Sequence, residues 1–115
     1  MDDSKILIVE NEYIVATDLK QQLEDMGHKI VGIEGDGKAA IKKTVETEPD
    51  LILMDITLKG ELDGIKTAQR IQEDYDIPFI YLSGSNNNTT LERARTTEPS
   101  GYIIKPFMDK GIKKL

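Results

Sequence analysis

Five short apolar runs, each parted from the next by a stretch of helical periodicity, constrain this chain more than any other feature. The runs are Ile6–Val9, Ile30–Ile33, Leu51–Met54, Phe79–Leu82 and Tyr102–Ile104. Short apolar runs bounded by turn signals fit strands buried on both faces. Between the first two, Leu19, Leu23 and Met26 recur at helical spacing, and Gly27 supplies a C-terminal stop. Asp36 is expected to cap a second helix that carries Ala40, Ile41 and Val45 and stops before Pro49. Asp63-Gly64 opens a third, with Ile65, Ala68, Ile71 and Tyr75 facing inward, and Thr89-Thr90-Leu91-Glu92 fits a capping box for a fourth. A fifth begins after Pro106 and is cut short at Leu115. Strict alternation of this kind predicts an α/β fold, a parallel sheet with helices on both faces and right-handed crossovers. The tripeptide Thr-Glu-Pro at 47–49 and again at 97–99 reads as reused helix-stop chemistry, not an internal repeat.

The carboxyl ends of the strands carry the chemistry. Leu51–Met54 runs into Asp55, Ile6–Val9 into Glu10-Asn11-Glu12, Phe79–Leu82 into Ser83, and Tyr102–Ile104 into Lys105-Pro106. Open α/β sheets bind their ligands at this edge. Carboxylates gathered there have two uses. They hold a hard cation such as Mg²⁺, which takes oxygen ligands and keeps several waters, or they attack phosphorus to form an acyl phosphate. A metal and a lysine would offset the charge on the phosphoryl oxygens, so Asp55, Glu10 and Lys105 meet both needs if the sheet brings them together. Ser83 would donate a hydrogen bond on the same rim.

Bulk properties exclude several alternatives. At 115 residues the chain fits one domain. Its 15 basic and 21 acidic residues give a net charge of −6, against the basic footprint of nucleic-acid binding. The absence of cysteine rules out disulfides and thiolate chemistry and is compatible with a reducing cytosol. Met1-Asp2-Asp3-Ser4-Lys5 lacks the basic and apolar regions of a signal peptide, and no apolar stretch approaches the ~18 residues of a membrane span. The expectation is a cytoplasmic domain with neither membrane nor direct nucleic-acid partners.

Five pieces of the chain, in order, resemble the receiver domain of two-component response regulators over essentially its whole length. They are Ile6–Glu12, Pro49–Asp55, Leu62-Asp63-Gly64, Ile77–Ser83 and Gly101–Phe107. The resemblance implies a flavodoxin-like, doubly wound sheet of order 2-1-3-4-5, its last helix truncated here. Residues 1–115 would form one receiver domain, cut from a longer chain. Asp55 would accept a phosphoryl group from a sensor histidine kinase or a histidine phosphotransfer protein, with Mg²⁺ as cofactor. Lys105 would pair with it, aimed inward by the family's usual cis Lys-Pro peptide. Ser83 would be the switch hydroxyl and Tyr102 the switch aromatic. Glu10, Asn11, Asp55 and the carbonyl of Thr57 would form the metal site, and the side chains of Thr57 and Ser85 would tune hydrolysis. Catalysis would be limited to the chain's own phosphorylation and slow dephosphorylation. The output would reach a downstream domain or protein, or a homodimer, through the face of helix four, strand five and helix five.

One position departs from the family pattern. The second of two adjacent acids after strand one normally ligates the metal, and here it is Asn11. Its amide oxygen still suits Mg²⁺, with one formal charge fewer. Asn11 is equally well read as the cap of the first helix, and Glu12 as a residue of its first turn. His28 is read as structural, Asp63 as a helix cap and Glu61 as surface charge. Tyr102 also fits a half-buried strand aromatic. Three competing functions stay open. A haloacid-dehalogenase-type phosphatase would need a second acid two residues after Asp55, where Thr57 stands. A flavodoxin-like cofactor binder would need hydroxyls and glycines in place of Glu10-Asn11-Glu12. A degenerate receiver would bind its partner without phosphorylation, and Asn11 keeps that reading open.

Overall fold

The computed structural model describes residues 4–58, 60–84 and 88–104. Within them strands and helices alternate as β1 (Lys5–Val9), α1 (Tyr13–Asp25), β2 (Lys29–Glu34), α2 (Gly37–Thr47), β3 (Leu51–Asp55), α3 (Gly64–Gln72), β4 (Phe79–Ser83), α4 (Asn88–Arg95) and β5 (Gly101–Ile104). The strands form one parallel sheet in the order β2-β1-β3-β4-β5, as the resemblance implies. The order reverses between β1 and β3, and a crevice opens at such a point beyond the carboxyl ends of the strands. Lys105, Ser85 and the expected fifth helix lie outside the described residues.

Strand alternation divides the core in two. Ile6, Ile8, Leu53, Leu82 and Ile103 pack with Ala16, Leu19 and Leu23 of α1. Leu7, Val9, Ile52, Met54, Phe79 and Tyr81 face the other way, against Ala40 of α2, Ile65, Ala68 and Ile71 of α3 and Ala94 of α4. Helix termini follow local chemistry. The Asp36 carboxylate accepts the Ala39 N–H at 2.8 Å to cap α2, and Asp63 accepts the Lys66 N–H at 2.8 Å to cap α3. At the end of α1 the His28 and Gly27 amides donate to the Leu23 and Glu24 carbonyls, with Gly27 at φ 95°. That pairing is a Schellman stop, which needs a left-handed residue at the glycine position. Both Thr-Glu-Pro sites end a helical segment in the same way. Glu48 and Glu98 adopt φ of 43° and 52°, and Thr47 and Thr97 return their hydroxyls to the carbonyls of Lys43 and Ala94.

Five details differ from the sequence expectation, the first being that Tyr75 lies beyond the end of α3 at Gln72. Met26 is the C-cap of α1 and exposed, because the helix has already ended, so the inner stripe is Ala16, Leu19 and Leu23. Val45 is 56% exposed and Thr44 takes its place inside, its hydroxyl satisfied by the Ala40 carbonyl at 2.8 Å. Glu12 is the N-cap of α1, not Asn11 and not a first-turn residue, and it caps without a side-chain bond. Helix α4 begins at Asn88, so Thr89 lies inside it instead of capping it.

Tyr81 is the principal polar group of the core. It is fully buried, edge-on to Phe79 at 5.3 Å between ring centroids and 6.0 Å from the Tyr102 ring. Its hydroxyl lies 2.7 Å from Thr97 Oγ1. Because the Thr97 hydroxyl already donates to the Ala94 carbonyl, Tyr81 is the donor of the pair. Burial pushes the Tyr81 phenol up to about 12. An unfolded tyrosine ionises near pH ~10, so this contribution to stability is complete below that pH. It is lost as pH rises through about 12. Spectrophotometric titration of the tyrosines is expected to show one that ionises last, and Tyr81→Phe is expected to remove that step.

Candidate functional site

The register of the sheet assembles the rim. Val9 pairs with Met54 across β1 and β3, so the next residues, Glu10 and Asp55, stand side by side at the order reversal. The sheet continues through both: the Glu10 amide donates to the Glu34 carbonyl at 2.9 Å and the Ile56 amide to the Leu82 carbonyl at 3.0 Å. Asp55 pairs with Leu82 across β3 and β4, and Ser83 follows on the same rim. Alternation puts Asp55 on the α1 side of the sheet and Ser83, like Tyr102, on the opposite side.

Three polar side chains at this rim are withdrawn from water. Glu10 and Asp55 are each 2% exposed and Ser83 is 4% exposed. Local turns hold the acids in place. Asp55 Oδ1 accepts the Thr57 amide at 3.0 Å and the Thr57 hydroxyl at 3.1 Å, while Glu10 Oε2 accepts the Glu12 amide at 3.0 Å. The start of α1 is thereby fastened to the acid of β1. Asn11 and Thr57 are exposed beside the acids, and Tyr102 is 41% exposed on β5. The structure thus brings Glu10, Asn11, Asp55, Thr57 and Ser83 to one edge.

Burying two neighbouring carboxylates is costly unless positive charge offsets them. Their oxygens are the donor type a hard cation takes. Among the described residues no three His, Cys, Asp or Glu side chains converge on a metal position. Two carboxylates with neutral oxygens beside them are a donor set that Mg²⁺, which keeps several waters, can take.

A sequence profile of the response regulator receiver domain matches residues 6–115. The chain belongs to that family. The transcriptional regulatory protein PdtaR of Mycobacterium tuberculosis H37Rv is 34% identical over 103 residues, 90% of this chain and 50% of that protein. The phyllosphere-induced regulator PhyR of Methylorubrum extorquens AM1 is 31% identical over 111 residues, 95% of this chain and 40% of that protein. Among solved structures, the signal receiver domain of a modulated diguanylate cyclase from Desulfovibrio desulfuricans G20 superposes with a TM-score of 0.91. It is 33% identical, and the match covers 96% of this chain and 88% of that one. The receiver spans about half the length, or less, of these curated relatives. No helix among its described residues is long and apolar enough to cross a membrane.

Several sequence readings of lesser residues hold in the receiver. Asp63 is a cap, and Glu61 is a surface charge whose carboxyl is held low by Lys38 at 2.8 Å. Two features went unseen in the sequence. Tyr13 and Ile14 are 77% and 81% exposed at the start of α1. Their signal was available, since Ile14 lies off the Ala16, Leu19 and Leu23 stripe. The ion pair between Arg93 of α4 and Asp63, at 3.0 Å, left no such signal, because it joins residues far apart in the chain.

Proposed function

We propose that this receiver takes a phosphoryl group onto Asp55 from the histidine of a sensor kinase or phosphotransfer protein and switches conformation in response. The observation that carries this reading is the burial of Asp55 beside Glu10 at the switch point of the sheet. A carboxylate oxygen of Asp55 attacks phosphorus, and the bond from phosphorus to the donor imidazole nitrogen breaks. The electron pair stays on the imidazole, which takes up a proton, and the product is an acyl phosphate. Glu10, Asp55, Asn11 and the Thr57 carbonyl would hold Mg²⁺, whose charge offsets that of the phosphoryl oxygens. Ser83 would donate a hydrogen bond to the phosphoryl group and Lys105 would pair with it. The half-exposed ring of Tyr102 would turn inward as the hydroxyl of Ser83 moves. Thr57 and Ser85 would govern access of water to the product. The changed face around α4 and β5 would be read by an output domain, a downstream protein or a second copy of the chain.

Asn11 sets the metal affinity in this scheme. Replacing it by Asp restores a formal charge at an exposed position, and Asn11→Asp is expected to tighten Mg²⁺ binding several-fold in a calorimetric titration. Unchanged affinity would remove Asn11 from the metal site and favour the second reading, a partner-binding receiver independent of phosphorylation. Tyr13 and Ile14 offer apolar surface next to the acids, since α1 is fastened to Glu10. The double change Tyr13→Ala, Ile14→Ala is expected to slow phosphotransfer from a histidine donor protein at least tenfold. It should leave the rate with a small acyl phosphate within twofold. Equal slowing with both donors would assign these side chains to α1 stability instead. The whole reading is tested by incubating the protein with a small acyl phosphate or beryllofluoride plus Mg²⁺ and locating any adduct.

A further inference from the structure

We propose that α3 is a strut linking the Asp55 loop to helix α4, with Asp63 and Gly64 as its working end. The inference deepens the phosphoacceptor reading and rests on it for its signal. Gly64 is buried, and a Cβ there would collide with the Asp55 carbonyl oxygen and lie 2.8 Å from Ile56 Cα and 2.9 Å from the Asp55 carbonyl carbon. All three are backbone atoms, so no side-chain adjustment relieves the clash. The first turn of α3 is therefore seated directly on the peptide that carries Asp55.

The residue before Gly64 reaches the other way. Asp63 divides its two oxygens: Oδ1 accepts the Lys66 amide at 2.8 Å and caps α3, while Oδ2 accepts from Arg93 Nη2 of α4 at 3.0 Å. The far end of α3 grips the same segment. Gln72 Nε2 donates to the Thr97 carbonyl at 2.6 Å, and Thr97 is in turn held by the Tyr81 hydroxyl. Helix α4 and the turn after it are thus tied to both ends of α3, whose start bears on Asp55. A group added to the Asp55 carboxylate disturbs the turn that Thr57 closes on Oδ1. The displacement passes through Gly64 to Asp63 and Arg93. This route uses neither Ser83 nor Tyr102.

The test uses backbone amide NMR on the intact chain in two arms. In the first, with no phosphoryl analogue present, Arg93→Gln is expected to move the Thr57 amide resonance, although the substitution lies on α4. The control Arg95→Gln, also exposed on α4, is expected to leave Thr57 in place. Asp63→Asn keeps a good cap while discharging the partner of Arg93, and combining it with Arg93→Gln is expected to add nothing at Thr57. In the second arm, beryllofluoride with Mg²⁺ is titrated into the parent chain and Arg93→Gln. The apparent affinity is expected to differ by about twofold to fivefold, the size of a half-exposed ion pair acting reciprocally. A Thr57 amide that responds no more to Arg93→Gln than to Arg95→Gln would overturn the strut. A parent chain indifferent to beryllofluoride would overturn the phosphoacceptor reading, and the first arm would still decide the link.

Discussion

Asp55→Asn is expected to abolish phosphoryl acceptance while the chain folds at least as well as its parent. An amide oxygen lacks the charge and the lone-pair availability of a carboxylate, so no acyl phosphate forms. The local structure survives, because the carbonyl oxygen of asparagine still accepts the Thr57 amide and hydroxyl that now converge on Oδ1. Removing one of two neighbouring buried carboxylates also relieves desolvation and like-charge repulsion. In urea unfolding at low Mg²⁺ the variant is expected to match the parent or exceed it by about 1 kcal/mol. Added Mg²⁺ should stabilise the parent more than the variant, because a ligand of the folded state raises its stability and the variant has lost one charge from the site. A loss of more than about 1 kcal/mol would mark Asp55 as a structural residue first.

The largest expected loss of stability comes from Leu53→Ala. Leu53 is fully buried in the middle of β3, pairs with Ile8 on one side and Ile80 on the other, and packs in the α1-side core. Truncation there removes transfer energy and leaves a cavity that a central strand cannot close, a cost of about 2–5 kcal/mol. A domain of this size has only about 5–15 kcal/mol in total, so the melting temperature should fall by about 10 °C or more. Val45→Ala is the contrast. Val45 is 56% exposed, and its loss should stay within about 0.5 kcal/mol in the same assay.

Leu53 and Val45 also mark what the sequence made legible. Strand runs such as Leu51–Met54 are buried on both faces, so apolar content alone located them, and the strand alternation with helices predicted the parallel sheet. On α2, two inner positions were apolar and the third was Thr44, which is buried because its hydroxyl bonds the helix itself. A reading that follows apolar residues chooses Val45 there and misses the threonine. The repeated Thr-Glu-Pro was correctly legible as a stop, since proline and a back-bonding threonine are local signals. Asn11 misled for the opposite reason. A good capping residue stood one position early, and the chain instead begins α1 at Glu12, whose amide is drawn to Glu10. At the rim, Glu10, Asp55 and Ser83 were legible because strand ends reveal themselves locally. The Asp63–Arg93 pair and the Tyr81–Thr97 bond depend on how helices cross, which no single segment encodes.

Peptide-level mass spectrometry after incubation with a small acyl phosphate and Mg²⁺ decides whether Asp55 accepts phosphorus. The expected result is one phosphoryl adduct, on the peptide containing Asp55, absent when Mg²⁺ is withheld and absent in Asp55→Asn. An unmodified parent chain, or an adduct that survives in Asp55→Asn, would contradict phosphoryl acceptance at Asp55.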